Sequence, residues 1–171
     1  MPIPPVAPAR PRSLLGRGYA AFGASRFGHL FVRSVSRRVD PLLLRISRGR
    51  LSTIGVYPVM LLTARGAVSS TARTTPLLYF SDGDRVVAMA SNYGRSRHPS
   101  WYYNVRANPE VTLSAGGYEG RYLAREATGE DRERLWELAK RMAKNYGQYE
   151  HMAGERQIPV FVFTALAEHQ G

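Results

Sequence analysis

The sequence contains no cysteine. That excludes a structural disulfide, an iron–sulfur cluster and a thiol nucleophile, and it is compatible with a reducing compartment. Four histidines, His29, His98, His151 and His169, lie far apart with no paired carboxylate motif, which speaks against a zinc or non-haem iron site. No stretch of about 18 apolar residues occurs, so a transmembrane helix is not expected. Neither GxGxxG nor a Walker loop is present, and the elements do not alternate strand with helix, which argues against a Rossmann sheet. Acids are scarce at the start: residues 1–50 hold ten arginines and one acid, Asp40. The remainder carries fourteen Lys or Arg against twelve acids, so the net charge of +11 belongs mainly to the N-terminal segment.

What is present is ordinary for a folded chain. With 171 residues, 44% hydrophobic and 22% charged, one domain with a substantial core is expected. Residues 1–12, "MPIPPVAPARPR", read as a disordered or extended Pro-rich tail. Residues 13–50 read as a basic amphipathic helical extension. Phe27, Phe31, Val35, Val39, Leu42 and Ile46 share one face, arginines occupy much of the rest, and Asp40-Pro41 interrupts. Such a segment suits a peripheral position on an anionic membrane, at the inner face of the plasma membrane of a cytoplasmic protein. It suits packing on the domain or a sister subunit equally well. Its arginine-rich start resembles a transit peptide without a clear cleavage region.

Residues 51–171 read as the folded body. Strands are expected at Val56–Thr63, Thr74–Phe80, Arg85–Ser91, Glu110–Ser114, Tyr118–Glu126 and Ile158–Thr164. "SDGD" at 81–84 and "AGG" at 115–117 are hairpin signals. One helix is expected over Ser100–Ala107. A second begins after Thr128, with acids in its first turn and cations in its last. Six short strands in hairpins with peripheral helices predict an α+β split barrel of about six antiparallel strands.

Three stretches carry candidate chemistry. In "LLTARGAVSSTARTTPLLYF", Gly66, Ser69 and Ser70 form a small-residue loop whose amides could face an anion, with Arg73 beside it. Thr75 and Pro76 follow, and proline inside a strand pattern predicts an edge or a bulge. An ordinary polar hairpin is the blander account. In "SNYGRSRHPSWYYN", Ser91, Asn92 and Trp101 could wall a pocket for a planar ligand whose acidic tail meets Arg95 and Arg97, although core packing suits Trp101 as well. In "NYGQYE", Tyr146 and Tyr149 stand three apart on a helical turn, where a phenol could donate to a developing oxyanion.

In this order, "LLTARG…ARTTPLLYFSDGDRVVAMAS…HPSWYYNVRANPEVTL…AREATGEDRERLWELA…YGQYE…IPVFVF" resembles the deazaflavin-dependent nitroreductase and quinone reductase family of actinobacteria, over residues 52–164. The resemblance implies a split barrel that uses reduced coenzyme F420 to reduce quinones, activated alkenes, unsaturated lipids or nitroaromatics. It places Arg73, Thr75 and Pro76 in the cofactor cradle and Ser91 near the reactive ring. It places Tyr146 and Tyr149 in the substrate pocket, one of them as proton donor, and puts Asn92 where lysine is frequent. Members commonly read "TTGRKSG" or "TTGRKTG" in the opening loop. Here Ala67-Val68-Ser69-Ser70 stand instead, without the Arg-Lys pair and with serine for the second glycine. A charged hydrogen bond contributes about 1.5–3 kcal/mol, so losing two would weaken tail binding by a hundredfold or more unless Arg65, Arg73, Arg95 or Arg97 compensates. Two readings therefore follow: an F420H2-dependent reductase, or a non-catalytic, flavin-, haem- or lipid-binding relative, with FMN as the alternative cofactor. No specific nucleic-acid motif is present.

Overall fold

The computed structural model describes residues 3, 5–7 and 57–167. The amphipathic extension expected over residues 13–50, with its membrane reading, lies outside the described residues. The body consists of β1 (Val59–Arg65), β2 (Ala72–Leu78), β3 (Phe80–Asp82), β4 (Arg85–Met89), α1 (Ser100–Ala107), β5 (Glu110–Ala115), β6 (Tyr118–Glu126), α2 (Gly129–Met142), α3 (Asn145–Ala153) and β7 (Val160–Ala165). The strands form one antiparallel sheet in the order β2-β1-β5-β6-β7-β4-β3. The sheet curls until β2 comes against β4, a half-closed barrel.

Seven strands form rather than six because the apolar run after Thr74 bends at Tyr79. β2 ends at Leu78 and Phe80 opens a separate strand that pairs with β4. Gly83 (φ 64°), Gly116 (φ 61°) and Gly117 (φ 88°) supply the left-handed turns of the two hairpins. Pro76 sits on β2, which ends the sheet, so its missing N–H breaks no interior ladder.

Alternation along the strands sorts the side chains into two cores. Inside the curl lie Met60, Leu62, Val86, Ala88, Leu113, Tyr122, Phe161 and Phe163, closed at one end by Trp101, Tyr102 and Val105 of α1. Ile3 is buried there too. Its N–H donates to Tyr122 Oη at 2.9 Å, while Val6 N–H donates to Ser81 Oγ at 3.0 Å and Ser81 N–H to the Val6 carbonyl at 2.7 Å. This part of the Pro-rich tail is thus laid on the sheet, held by hydrogen bonds that its composition does not announce. On the opposite face, Phe80, Val87, Met89, Val160 and Val162 pack against Leu135, Trp136, Ala139 and Met142 of α2 and Tyr146 and Tyr149 of α3. α2 carries Glu130 and Asp131 in its first turn and Lys140 and Arg141 in its last, as the helix dipole favours.

An ion-pair group fastens α2 to the β3–β4 hairpin. Arg134 holds both Asp82 oxygens at 2.7 and 2.8 Å and Asp131 at 2.9 Å, and Arg85 bridges the same two acids. Hydrogen bonds from Arg134 hold the Asp82 carboxyl well below the ordinary carboxylate range, and those from Arg85 do the same for Asp131. A depressed folded-state pKa adds stability above the unfolded value of about 4, and that stability is lost as pH falls further. Asp82→Asn should therefore cost about 1–2 kcal/mol at pH 7. Urea titrations should show the gap to the parent narrowing below about pH 4; a gap independent of pH would refute this.

Candidate functional site

The β1–β2 loop is strapped to α1. Ala67 N–H donates to Asn104 Oδ1 at 3.0 Å, and Asn108 Nδ2 donates to the Arg65 carbonyl at 3.3 Å. Within the loop, Gly66 N–H donates to the Thr71 carbonyl and Ser70 N–H to the Gly66 carbonyl, at 2.9 and 3.1 Å. Two of the three amides expected to face an anion, those of Gly66 and Ser70, are thus engaged inside the protein, as is that of Ala67, which corrects the backbone-cradle reading for Gly66 and Ser70. Gly66 is required sterically, since a Cβ there would come within 2.7 Å of Ser69 Oγ. Ser70, which stands where the resemblance expects glycine, adopts φ 54°, a left-handed conformation that glycine favours. Val68, at the tip, is 99% exposed.

The loop tip itself carries no cation: Arg65 and Arg73 flank it in the chain, and Arg95 and Arg97 stand on the β4–α1 loop. Arg65, Arg73, Arg95 and Arg97 are exposed, and none makes an ion pair among the described residues. Register separates the expected cradle residues. Arg73 and Thr75 pair with Ala64 and Leu62 and share the inner face of β2, whereas Pro76 pairs with Leu61 on the other. Arg65 borders a shallow cleft of about 280 Å³ with Thr63, Ser70, Glu110, Thr112 and Arg121, where the Glu110 carboxylate would repel an anion. That disfavours Arg65 as an anion partner.

A cluster of phenols lies in the outer core: Tyr146 and Tyr149 are buried there and Tyr57 and Tyr93 pack against it, as does Leu78 at the far end of β2. Tyr149 meets Tyr93 and Tyr146 edge-on, each at 6.1 Å between ring centres, and Tyr146 meets Trp136 at 5.8 Å. Asn145 Nδ2 donates to Tyr149 Oη at 3.0 Å. Burial disfavours phenolate, pushing Tyr149 up to about 12 and Tyr146 higher still, so both phenols stay protonated at neutral pH. Arg73 to Leu78 is five residue steps, about 17 Å of extended chain. β2 pairs with β1 alone among the described strands, so no described strand covers its other edge.

Ser91 is half-buried at the start of the β4–α1 loop. Asn92 does not point at a ligand: its Nδ2 donates to the Arg97 carbonyl at 2.8 Å and closes that loop. Trp101 is 5% exposed and packs edge-on against Phe161 at 5.4 Å, so it is core and not a pocket wall. Sequence reasoning missed Tyr57, Tyr93, Asn104 and Arg156. Only the tyrosines carried a signal, their residue type, and nothing in the chain's linear order joins residue 57 to 93 and 149. No group of three or more His, Asp or Glu suited to a metal occurs among the described residues, and no helix there is long and apolar enough to cross a membrane.

Comparison with known proteins bears on this geometry. The family model described as F420H(2)-dependent quinone reductase matches residues 37–165. An F420H(2)-dependent quinone reductase of Mycobacterium tuberculosis and a putative one of Mycobacterium bovis are each 35% identical over 132 residues, 74% of this chain and 88% of theirs. A solved F420-H2 dependent reductase is 38% identical with a TM-score of 0.58, over 62% of this chain and 93% of its own. Another solved chain, described as a domain-swapped dimer, is 35% identical with a TM-score of 0.58, over 73% and 96%.

Proposed function

Because the chain belongs to the F420H2-dependent quinone reductase family, we propose that it reduces a lipophilic quinone held at Tyr146 and Tyr149. It is an F420H2-dependent oxidoreductase on a split barrel, and its cofactor is coenzyme F420. A flavin alternative is not needed.

The residues present fit that cofactor. Guanidinium at Arg73, Arg95 and Arg97, without an ion pair among the described residues, suits an anionic tail, and protonated phenols in an apolar setting suit an uncharged ring. When bound, the reduced deazaflavin supplies a hydride. Arg73 would hold the tail in place of the missing Arg-Lys pair, and Thr75 would line the same face of β2. Tyr149 accepts from Asn145, and its hydroxyl would donate to a carbonyl oxygen of the quinone as negative charge develops there. With its pKa near 12, Tyr149 acts chiefly as a hydrogen-bond donor that stabilises the oxyanion. Ser91 would contribute a hydroxyl from the adjoining loop, and Tyr146 would shape the apolar wall.

The observation that carries this reading is the cluster of buried, protonated phenols around Tyr149, with exposed guanidinium at Arg73 on the edge strand β2 as a separate partner for an anionic tail. Quinones of this kind dissolve in lipid. The cationic, Phe- and Leu-bearing pattern of residues 13–50 supports delivery from an anionic membrane surface. The expected result is oxidation of F420H2 by menadione, followed by absorbance, and faster turnover of a long-chain quinone in anionic than in neutral vesicles. Failure to bind F420 at micromolar concentration would overturn the reading; equal rates on both vesicles would remove its membrane part.

A further inference from the structure

Arg156 lies in the turn between α3 and β7 and reaches back to the loop that joins β4 to α1. Its half-buried guanidinium donates to the Ser91 carbonyl from Nη2 at 2.7 Å, to the Arg95 carbonyl from Nε at 2.8 Å and to the Ala90 carbonyl from Nη1 at 3.3 Å. Nη1 also meets His98 Nδ1 at 3.3 Å. No carboxylate pairs with Arg156 among the described residues. The planar fork is spread over three backbone carbonyls, a geometry that a lysine ammonium cannot reproduce.

The loop it grips is strained. Asn92, Tyr93 and Gly94 adopt φ of 47°, 57° and 72° in succession, a left-handed turn in which two residues are not glycine. Such a turn persists only where its surroundings over-determine it. Beneath it, Gly94 touches the backbone of Tyr149: a Cβ there would lie 2.9 Å from both Tyr149 Cα and its carbonyl oxygen. Arg156 leaves the end of α3, so one side chain ties the loop that bears Ser91 and Tyr93 to the helix that bears Tyr146 and Tyr149.

We propose that Arg156 is a positioning residue for quinone reduction: it braces the Ser91–His98 loop so that Ser91 and Tyr93 stay in register with Tyr149 around the acceptor. This rests on the reading that the acceptor binds at the tyrosine cluster. Arg156 itself touches no reacting atom.

The test compares Arg156→Lys and Arg156→Ala in the full chain, by menadione reduction with F420H2 and by amide exchange read by mass spectrometry. Both variants should lose about 30-fold or more in kcat, with KM for menadione changed less than about threefold. Exchange of amides 92–97 should rise about 100-fold, while α2 and β7 exchange as in the parent. Free guanidinium should restore about tenfold of the activity of Arg156→Ala and none to Arg156→Lys. Parent-like exchange and kcat in Arg156→Lys would overturn the proposal, as would an exchange increase spread over the whole sheet. If the parent chain fails to reduce menadione, the functional reading falls on its own. Exchange then still decides whether Arg156 braces the loop: a rise confined to 92–97 upholds the brace, and no rise refutes it.

Discussion

Gly94→Ala is expected to destabilise the protein by about 3 kcal/mol and to remove most activity. Two causes add. The residue sits at φ 72°, where a Cβ costs roughly 1–2 kcal/mol. The added methyl would also meet Met152 Cβ at 2.7 Å and the Tyr149 backbone at 2.9 Å, and helix backbone cannot swing aside as a long side chain can. Gly83→Ala is the internal control. Its φ of 64° is similar, but nothing lies within 4 Å of the new methyl, so only the conformational part of the cost applies. Urea unfolding of both variants should show Gly94→Ala the worse by about 2 kcal/mol. Equal losses would mean that the loop does not seat on α3 as described. Activity should fall with stability in the first variant and survive in the second, because the displaced helix carries Tyr149.

Tyr149→Phe is expected to lower kcat by about 10- to 100-fold while leaving F420 affinity close to that of the parent. The substitution removes the donor at the acceptor site and orphans Asn145 Nδ2, which is only partly buried, so the stability cost should stay near 1 kcal/mol. Tyr146→Phe should cost less activity, since that ring serves packing against Trp136 and Tyr149. The pH profile separates this role from that of an ordinary exposed tyrosine. Burial raises the Tyr149 pKa to about 12, so the donor form persists as pH rises. Activity should show no falling limb near pH 10, the ordinary value for tyrosine. A limb at that pH, abolished in Tyr149→Phe, would show the phenol to be solvated and the buried-donor account to be wrong.

Under the proposed function, cations placed elsewhere in the fold would take over from the usual cationic tip that Ala67 and Val68 replace. The tip is exposed, its neighbouring amides are tied to Asn104 and to loop carbonyls, and guanidinium without an ion pair among the described residues sits at Arg73, Arg95 and Arg97. Electrostatic attraction to a polyanion depends on where charge stands in space. In the proposed reading, cations contributed by β2 and by the β4–α1 loop would act on one tail although more than twenty residues separate them in the chain.

The alternation of apolar residues determined the strands, and Gly83, Gly116 and Gly117 the hairpins, because both are local consequences of side-chain period and backbone sterics. The same locality made α1 legible to the residue, placed the start of α2 after Thr128, and made Tyr146 and Tyr149 neighbours. Whether Trp101 faced a ligand or the core was open in the chain and closed by the curl of the sheet, which sets it against Phe161. Tyr57 and Tyr93 joined the phenol cluster, Asn104 took the Ala67 amide, and Ile3 entered the barrel only because distant strands came together. Arg156 is the clearest case. Its partners are backbone carbonyls some sixty residues away, and a carbonyl is the same group at every position, so no pattern of side chains could have announced the contact.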